Sequence, residues 1–118
     1  MRALVIDASS AMRLIVAGIL RDAGMEVVEA SSEREALEKI AAQGPIDLGL
    51  VDCNLSSYGF LKALRGKRGA DELRLIAVST EGTQEAQARA AGASDFVIKP
   101  FTAEALRKKV LRLAPALP

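Results

Sequence analysis

The chain has 118 residues and a formal net charge of +1, and half of its residues are hydrophobic although only 3% are aromatic. That length suits one domain with a single aliphatic core, and the near-neutral charge gives no basis for a polyanion-binding surface. The absence of histidine excludes histidine general bases, most zinc sites and a phosphohistidine carrier.

No apolar run approaches the roughly 20 residues that a membrane-spanning helix needs. The N-terminus has no signal-peptide pattern, because the apolar residues 4–6 are followed at once by Asp7. The single cysteine, Cys53, cannot form an internal disulfide and is consistent with a reducing compartment. We therefore expect a cytoplasmic protein that binds neither a membrane nor nucleic acid directly.

Four short apolar segments predict strands that are buried on both faces, because they are continuous rather than alternating. They are residues 4–6, 48–51, 75–78 and 96–98, and Val27-Val28 predicts a further strand, the second in chain order. A helical pattern follows the first segment from Ser10 to Ala23, and Gly24 suits the left-handed position that ends it. The apolar positions predicted for its buried stripe are Met12, Ile15, Val16, Ile19 and Ala23.

Four more helices are predicted between and after the remaining strands. Ser32 and Glu35 have the spacing of a capping box and open the second helix, which Gly44-Pro45 ends. The fourth helix is predicted over residues 82–91, closed by Gly92, and only alanines make it apolar. The predicted buried positions are Leu37, Ile40 and Ala41; Phe60, Leu61 and Leu64; Ala86, Ala88, Ala90 and Ala91; and, after a Thr102 cap, Leu106, Val110 and Leu113.

Strict alternation of strands and helices, without repeats, predicts an α/β domain with a parallel sheet, right-handed crossovers and helices on both faces. We place the domain at residues 1–114 and interpret residues 115–118 as a tail or the start of a linker.

Polar residues follow the ends of four predicted strands: Asp7, Asp52, Ser79 and Lys99. In an open parallel sheet these positions meet at one edge, where such folds bind ligands. Two carboxylates, an ammonium and a hydroxyl in one crevice suggest chemistry on a phosphoryl group. Residues 7–10 are not a Gly-x-Gly-x-x-Gly turn, which argues against a dinucleotide enzyme. Few aromatic residues argue against a flavodoxin.

These motifs resemble a known family. Residues 5–7 (Val-Ile-Asp), 50–52 (Leu-Val-Asp), 78–79 (Val-Ser) and 92–101 (Gly-Ala-Ser-Asp-Phe-Val-Ile-Lys-Pro-Phe) look like the markers of a CheY-like response-regulator receiver domain. The resemblance covers essentially the whole chain. It implies a flavodoxin-like, doubly wound sheet of five parallel strands in the order 2-1-3-4-5 with five helices, and a pocket at the switch point.

The resemblance also implies residue roles. Asp52 would accept a phosphoryl group from a sensor histidine kinase, with Lys99 and Ser79 binding the phosphoryl oxygens. Ser79 and Phe96 would be the switch residues, and Lys99-Pro100 would be a cis peptide. The fourth helix, fifth strand and fifth helix would form the partner surface, read by a downstream protein or a fused output domain. Such a domain catalyses only its own phosphorylation and dephosphorylation, so it is not an enzyme acting on an external metabolite.

The chain departs from the family pattern in two places. Receivers usually carry two adjacent acids after the first strand, whereas here Ala8 follows Asp7. The implied Mg²⁺ site then consists of Asp7, Asp52 and the backbone carbonyl of Asn54, and we expect weakened binding. The loop at residues 55–60 also lacks the proline and acid common in the family, which leaves the identity of the kinase open.

A second hypothesis follows from those departures: a pseudo-receiver that keeps the fold as a phosphorylation-independent protein-interaction module. Asn54 and Glu81 stand at positions that influence access of water to the phosphoryl group in receivers. The basic residues at 107–109 and 112 are interpreted as a solvated helix face, because no aromatic residues are interleaved with them.

Overall fold

A computed structural model of the chain describes residues 1–54, 58–67 and 72–113. The strands are β1 (Arg2–Ile6), β2 (Glu26–Ala30), β3 (Leu48–Asp52), β4 (Arg74–Ser79) and β5 (Asp95–Ile98). The helices are α1 (Ser10–Asp22), α2 (Glu33–Gln43), α3 (Tyr58–Lys67), α4 (Glu85–Ala90) and α5 (Ala103–Leu113), and a 3-10 turn (Gly82–Gln84) precedes α4. The predicted tail at 115–118 and loop residues 55–57 lie outside the described residues.

The strands form one parallel sheet in the order β2-β1-β3-β4-β5, which confirms the predicted fold class and topology. Ile6 pairs with Val51, and Asp52 pairs with Val78 one residue further along. The carboxyl ends of β1 and β3 are therefore level, and the residues that follow them emerge at the same edge of the sheet.

Two hydrophobic clusters cover the two faces of the sheet. Because successive strand residues point to opposite faces, Leu4 and Ile6 belong to one cluster while Ala3 and Val5 belong to the other. Helices α2, α3 and α4 contribute to the first cluster and α1 and α5 to the second. This layering is the doubly wound arrangement expected from the sequence.

The predicted caps at Ser32 and Thr102 are present, and Ser9 caps α1 in addition. Ser9 and Ser32 each accept a hydrogen bond from a backbone N–H in the first turn of the helix that follows. Thr102 Oγ1 accepts the N–H of Ala105 at 3.0 Å. Gly24 and Gly44 follow α1 and α2 with φ of 92° and 96°. No helix among the described residues combines the length and apolarity that crossing a membrane requires.

The predicted buried stripes of α1 and α2 are partly wrong. Ile15 is 57% exposed, because the buried face of α1 is centred on Val16 and Leu20 and leaves Ile15 at its margin. In α2 the fully buried residue is Ala36, whereas Leu37 is 45% exposed. The helical periodicity is confirmed in both helices, but the face that meets the sheet is rotated by about one residue from the predicted one.

The predicted fourth helix is also interrupted. Its first turn is the 3-10 turn Gly82–Gln84, and α4 itself has six residues, of which Ala88 is buried. Glycine and threonine open this segment, and both are poor α-helix formers, which accounts for the tighter turn. Ala86 and Ala90 are exposed, so α4 buries little apolar area against the sheet.

The C-terminal end of α4 is fixed by an arginine from α3. Arg65 donates hydrogen bonds to the carbonyl oxygens of Gly92 (3.0 Å) and Leu73 (2.6 Å) and to Ser94 Oγ (3.2 Å). Gly92 has φ of 116°, and a Cβ there would lie 2.8 Å from the Arg65 side chain. Only glycine suits this position, and the connection from α4 to β5 is tied to α3.

Candidate functional site

Three of the four predicted site residues meet through their side chains at the carboxyl edge of the sheet. Lys99 Nζ lies 2.7 Å from Asp7 Oδ2 and 3.4 Å from Asp52 Oδ2. Both carboxylate side chains are only 7% exposed. An ammonium thus bridges two buried acids that are 45 residues apart in the chain.

Asp7 is positioned by the connection between β1 and α1. Its Oδ1 accepts the N–H of Ser9 at 2.9 Å, and its backbone N–H donates to Ala30 at 3.2 Å. The Arg13 guanidinium donates to the carbonyl oxygens of Asp7 (2.6 Å) and Ala8 (3.3 Å). The cap residue Ser9 therefore holds the carboxylate of Asp7, and Arg13 in the first turn of α1 holds its backbone carbonyl.

Asp52 ends β3 with its two oxygens in different environments. Oδ1 accepts the N–H of Asn54 at 2.9 Å, while Oδ2 faces Lys99. The neighbouring Cys53 is half-buried against the hydrophobic cluster, and burial together with the charge of Asp52 raises the pKa of its thiol. Cys53 therefore serves as a packing residue, and Asp52 is the nucleophilic candidate of this loop.

Lys99 remains protonated at the site. Burial disfavours its ammonium form, but hydrogen bonding to Asp7 and the charges of Asp52 and Asp7 outweigh that effect, so its pKa is raised above the usual value. Its backbone N–H donates to the carbonyl of Ser79 at 2.8 Å, which ties the ends of β5 and β4 together. The Lys99–Pro100 peptide bond is cis.

Ser79 is fully buried at the end of β4, whereas the adjacent Thr80 is exposed. The Ser79 hydroxyl donates to Gln84 Oε1 and accepts the N–H of Glu81 at 3.0 Å. Thr80 Oγ1 accepts from Asn54 Nδ2 at 3.4 Å. Ser79 is thus the buried hydroxyl of this segment, but its proton is directed away from the carboxylates.

Phe96 is buried in the cluster shared by α2, α3 and α4, with 5% of its surface exposed. In the sheet Phe96 of β5 pairs with Ala77 of β4, which lies two residues before Ser79 at the end of β4. Its role as a switch residue stays a prediction.

A family model for the response regulator receiver domain matches residues 3–111 of the chain. The chain belongs to this family. The match confirms the resemblance carried by the strand-end motifs, and receiver domains act in two-component signalling.

Named relatives and solved structures are similar to this chain and support the same family. The chain is 33% identical over 116 residues to the chemotaxis protein CheY1 of Helicobacter pylori, covering 93% of this chain and 94% of that protein. The structure of the chemotaxis response regulator CheY4 of Vibrio cholerae is 32% identical, with a TM-score of 0.83 over 95% of this chain and 97% of that one. NtrX of Brucella abortus gives a TM-score of 0.87 at 30% identity over 98% of this chain but only 26% of NtrX. The same domain thus occurs within a much longer protein.

Receiver domains typically bind Mg²⁺, and the donor set of this receiver fits that ion. Two buried carboxylates, Asp7 and Asp52, lie at one edge, and hard oxygen ligands are what Mg²⁺ prefers. Within the described parts of the chain, no three or more His, Cys, Asp or Glu side chains are grouped so that they could hold a metal ion together. Ala8 is exposed beside the pocket, where a second adjacent acid would extend the donor set.

Sequence reasoning missed two contributors to this receiver site, Gln84 and Arg13. Gln84 lies in the 3-10 turn and Arg13 in the first turn of the helix α1, and both act through the ends of their side chains, which carry no periodic signal. For Arg13, the only signal in the sequence is that a basic residue stands six positions after Asp7, in the first turn of the predicted helix. Gln84 had no recognisable signal, because its partner Ser79 lies in a different element.

Proposed function

We propose that Asp52 accepts a phosphoryl group from a phosphohistidine of a sensor histidine kinase. The observation that supports this most is the ionic contact of Lys99 with both Asp7 and Asp52, because it gathers a nucleophile and a phosphate-binding cation in one pocket. Phosphoryl transfer depends mainly on such positioning and charge neutralisation.

In the proposed step an Asp52 carboxylate oxygen forms a bond to phosphorus while the phosphorus–nitrogen bond of the phosphohistidine breaks. The electron pair of the broken bond stays on the imidazole nitrogen of the kinase, and an acyl phosphate results. Lys99 then pairs with the phosphoryl oxygens as a point charge. Ser79 donates its hydroxyl proton to one of those oxygens, and loss of the group proceeds by attack of water.

Asp7, Asp52 and the backbone carbonyl of Asn54 are proposed to hold Mg²⁺, with water molecules as the remaining ligands. When bound, the ion supplies positive charge next to the phosphoryl oxygens. With Ala8 in place of a second acid, the protein contributes less negative charge, and we infer a weak metal site.

The signal is proposed to leave through the surface formed by α4, β5 and α5. A groove of about 500 Å³ lies between these elements, and Ile98 in its lining is 48% exposed. The partner is a downstream protein or an output domain in the same polypeptide. We place the receiver at residues 1–114, in the cytoplasm, and propose that it turns over no external substrate.

A phosphorylation-independent binding module is the second candidate, and Ala8 is the observation that favours it. A receiver fold without an effective metal site keeps its partner surface but loses the ability to respond to a kinase.

Incubation with acetyl phosphate and Mg²⁺, followed by intact mass spectrometry, distinguishes the two candidates. We expect the mass of one added phosphoryl group in the wild-type protein and none in Asp52→Asn. Asp47→Asn serves as a matched control, since Asp47 lies outside the pocket and should not change labelling. An unmodified wild-type mass, together with no spectral response to beryllofluoride, would contradict phosphorylation of Asp52 and favour the binding module.

A further inference from the structure

The proton of the Ser79 hydroxyl is donated to a side chain outside the acidic pocket. Its acceptor is Gln84 Oε1, while the hydroxyl oxygen itself accepts the N–H of Glu81 at 3.0 Å. A hydroxyl has one proton to donate. Ser79 therefore has to give up its hydrogen bond to Gln84 before it can donate to a phosphoryl oxygen on Asp52.

The main chain of Ser79 is held by the sheet. Ser79 pairs with Ile98 in the parallel ladder, and its carbonyl oxygen accepts the N–H of Lys99 at 2.8 Å. The residue is also fully buried. The hydroxyl group is consequently the part of Ser79 that can change its partner while the strand stays paired.

Gln84 lies at the start of α4, yet its side chain contacts the end of β4. It is the last residue of the 3-10 turn Gly82–Gln84 and stands at the N-cap position of α4. Short side chains such as Asn, Asp, Ser and Thr are favoured there because they cap the first turn of a helix. Among the described residues, no side-chain hydrogen bond caps α4 at Gln84. The longer glutamine side chain instead accepts the proton of Ser79.

The hydrogen bond between Ser79 and Gln84 stabilises the form of the domain that carries no phosphoryl group. It is made in that form and is broken when Ser79 donates to a phosphoryl oxygen. Only molecules in which the hydroxyl is released are ready for that contact, and the apparent affinity falls with the fraction that is ready. The hydrogen bond thus opposes binding of the phosphoryl group.

We propose that Gln84 holds the Ser79 hydroxyl away from the acidic pocket and thereby lowers the affinity of the pocket for a phosphoryl group. This inference rests on the phosphorylation of Asp52 proposed above. Gln84 is a positioning residue, because it acts through Ser79.

Removal of the acceptor tests the role of Gln84 by affinity. Gln84→Met keeps the length of the side chain but cannot accept the hydroxyl proton in the same way. With Mg²⁺ present, we expect this variant to bind beryllofluoride, a mimic of the phosphoryl group, roughly threefold to tenfold more tightly than the wild type, the value of one hydrogen bond. The affinity is measured by ¹⁹F NMR. Gln87→Met is the matched control, since Gln87 is an exposed glutamine of α4.

A second substitution shows whether the effect passes through Ser79. Ser79→Ala removes the hydroxyl, so adding Gln84→Met to Ser79→Ala should leave the affinity for beryllofluoride unchanged. A structural role of Gln84 in α4 would instead give the same effect in both backgrounds, and it would weaken binding rather than strengthen it.

The contact can also be observed in the protein without a ligand. The side-chain amide of Gln84 gives ¹⁵N–¹H resonances that are assigned by their loss in Gln84→Met. We expect Ser79→Ala to shift these resonances, because the donor to Oε1 is lost. Thr80→Val is the control, since the adjacent Thr80 is exposed and should shift them much less.

The outcomes separate the two proposals. Three results would each overturn the role of Gln84 while phosphorylation of Asp52 stands: equal affinities of Gln84→Met and the wild type, an effect of Gln84→Met that persists in Ser79→Ala, or Gln84 amide resonances that Ser79→Ala leaves in place. Wild-type protein that neither binds beryllofluoride nor gains phosphoryl mass from acetyl phosphate would overturn the proposed function, and the role of Gln84 with it.

Discussion

The acidic pocket and the segment that contains α4 lie at neighbouring strand ends but are held in different ways. In the pocket, Asp7 and Asp52 are buried, and each carboxylate is fixed by a backbone N–H and by Lys99. The segment from the 3-10 turn through α4 buries one alanine in its helix, Ala88, and begins with the Ser79–Gln84 hydrogen bond.

This difference matches the proposed division between a phosphoryl-transfer site and a partner surface. A transfer site needs fixed charges, and strands buried on both faces provide them. A segment that signals to a partner must move at a low cost in free energy, and a segment with few buried contacts does so. In the proposed function, one domain would bind a phosphoryl group at fixed charges and change shape at the adjoining element.

The largest expected effect is on the rate of phosphorylation and comes from removing the ammonium group of Lys99. We expect Lys99→Met to slow phosphorylation by acetyl phosphate about a hundredfold, because one electrostatic partner of the transferred group is lost. The rate is measured by intact mass at successive times. Lys108→Met is the control, as Lys108 is exposed and pairs only with Glu104 on its own helix among the contacts described. Equal rates for the two variants would contradict the proposed role of Lys99.

The next effect should come from restoring an acid beside Asp7. Ala8→Asp is expected to raise Mg²⁺ affinity about tenfold or more, since a charge about 4 Å from the ion contributes on the order of 1–4 kcal/mol. Tyrosine fluorescence or NMR titration measures the affinity. Ala8→Asn supplies a neutral side chain of the same shape and should give a much smaller increase. If Ala8→Asp bound Mg²⁺ no better than the wild type, position 8 would not belong to the metal site.

A smaller effect is expected where α4 is tied to the sheet and to α5. Asp95 is buried, accepts the N–H of Phe96 at 2.8 Å, and pairs with Arg89 of α4 and Lys109 of α5. Asp95→Asn should lower the free energy of unfolding by about 1 kcal/mol at pH 7, as measured by urea denaturation. Asp22→Asn, at an exposed position, should change it little.

The difference in the free energy of unfolding between the wild type and Asp95→Asn should depend on pH in one direction. Burial disfavours the charged form of Asp95, but the Phe96 N–H and Lys109 outweigh it, so the pKa is lowered. The stabilisation is present above the unfolded-state pKa of about 3.9 and is lost as the pH falls through the lower folded-state value. The gap between wild type and Asp95→Asn should therefore narrow below about pH 4. A gap that stayed constant down to pH 2 would show that the charge of Asp95 contributes nothing.

The sequence predicts most of the fold because strand identity depends on local composition. The apolar runs that end at Asp7, Asp52 and Lys99 identify three buried strands, and chain order then brings their ends to one edge. The same reasoning predicts the site, since its charged residues are the first polar positions after those strands. Their roles in phosphoryl transfer stay predictions until labelling is measured.

What the sequence leaves open depends on packing between elements. Ile15 has the spacing of a buried residue but is exposed, because periodicity does not say which face meets the sheet. The 3-10 turn before α4 forms because Gly82 and Thr83 are poor α-helix formers. The alanines that follow make the whole segment resemble one continuous helix in the sequence. Gln84 and Arg13 act through flexible side chains whose partners are set only by the assembled fold.

The guanidinium of Arg65 has a consequence for how the domain moves. It clamps the connection that follows α4, through Gly92 and Ser94, while the segment before α4 is held by the hydrogen bond from Ser79 to Gln84. In the proposed switch Ser79 changes its partner, and the N-terminal end of α4 should then move more than its C-terminal end. We expect such a movement to tilt α4, and a partner bound to this face would respond to the change in helix orientation.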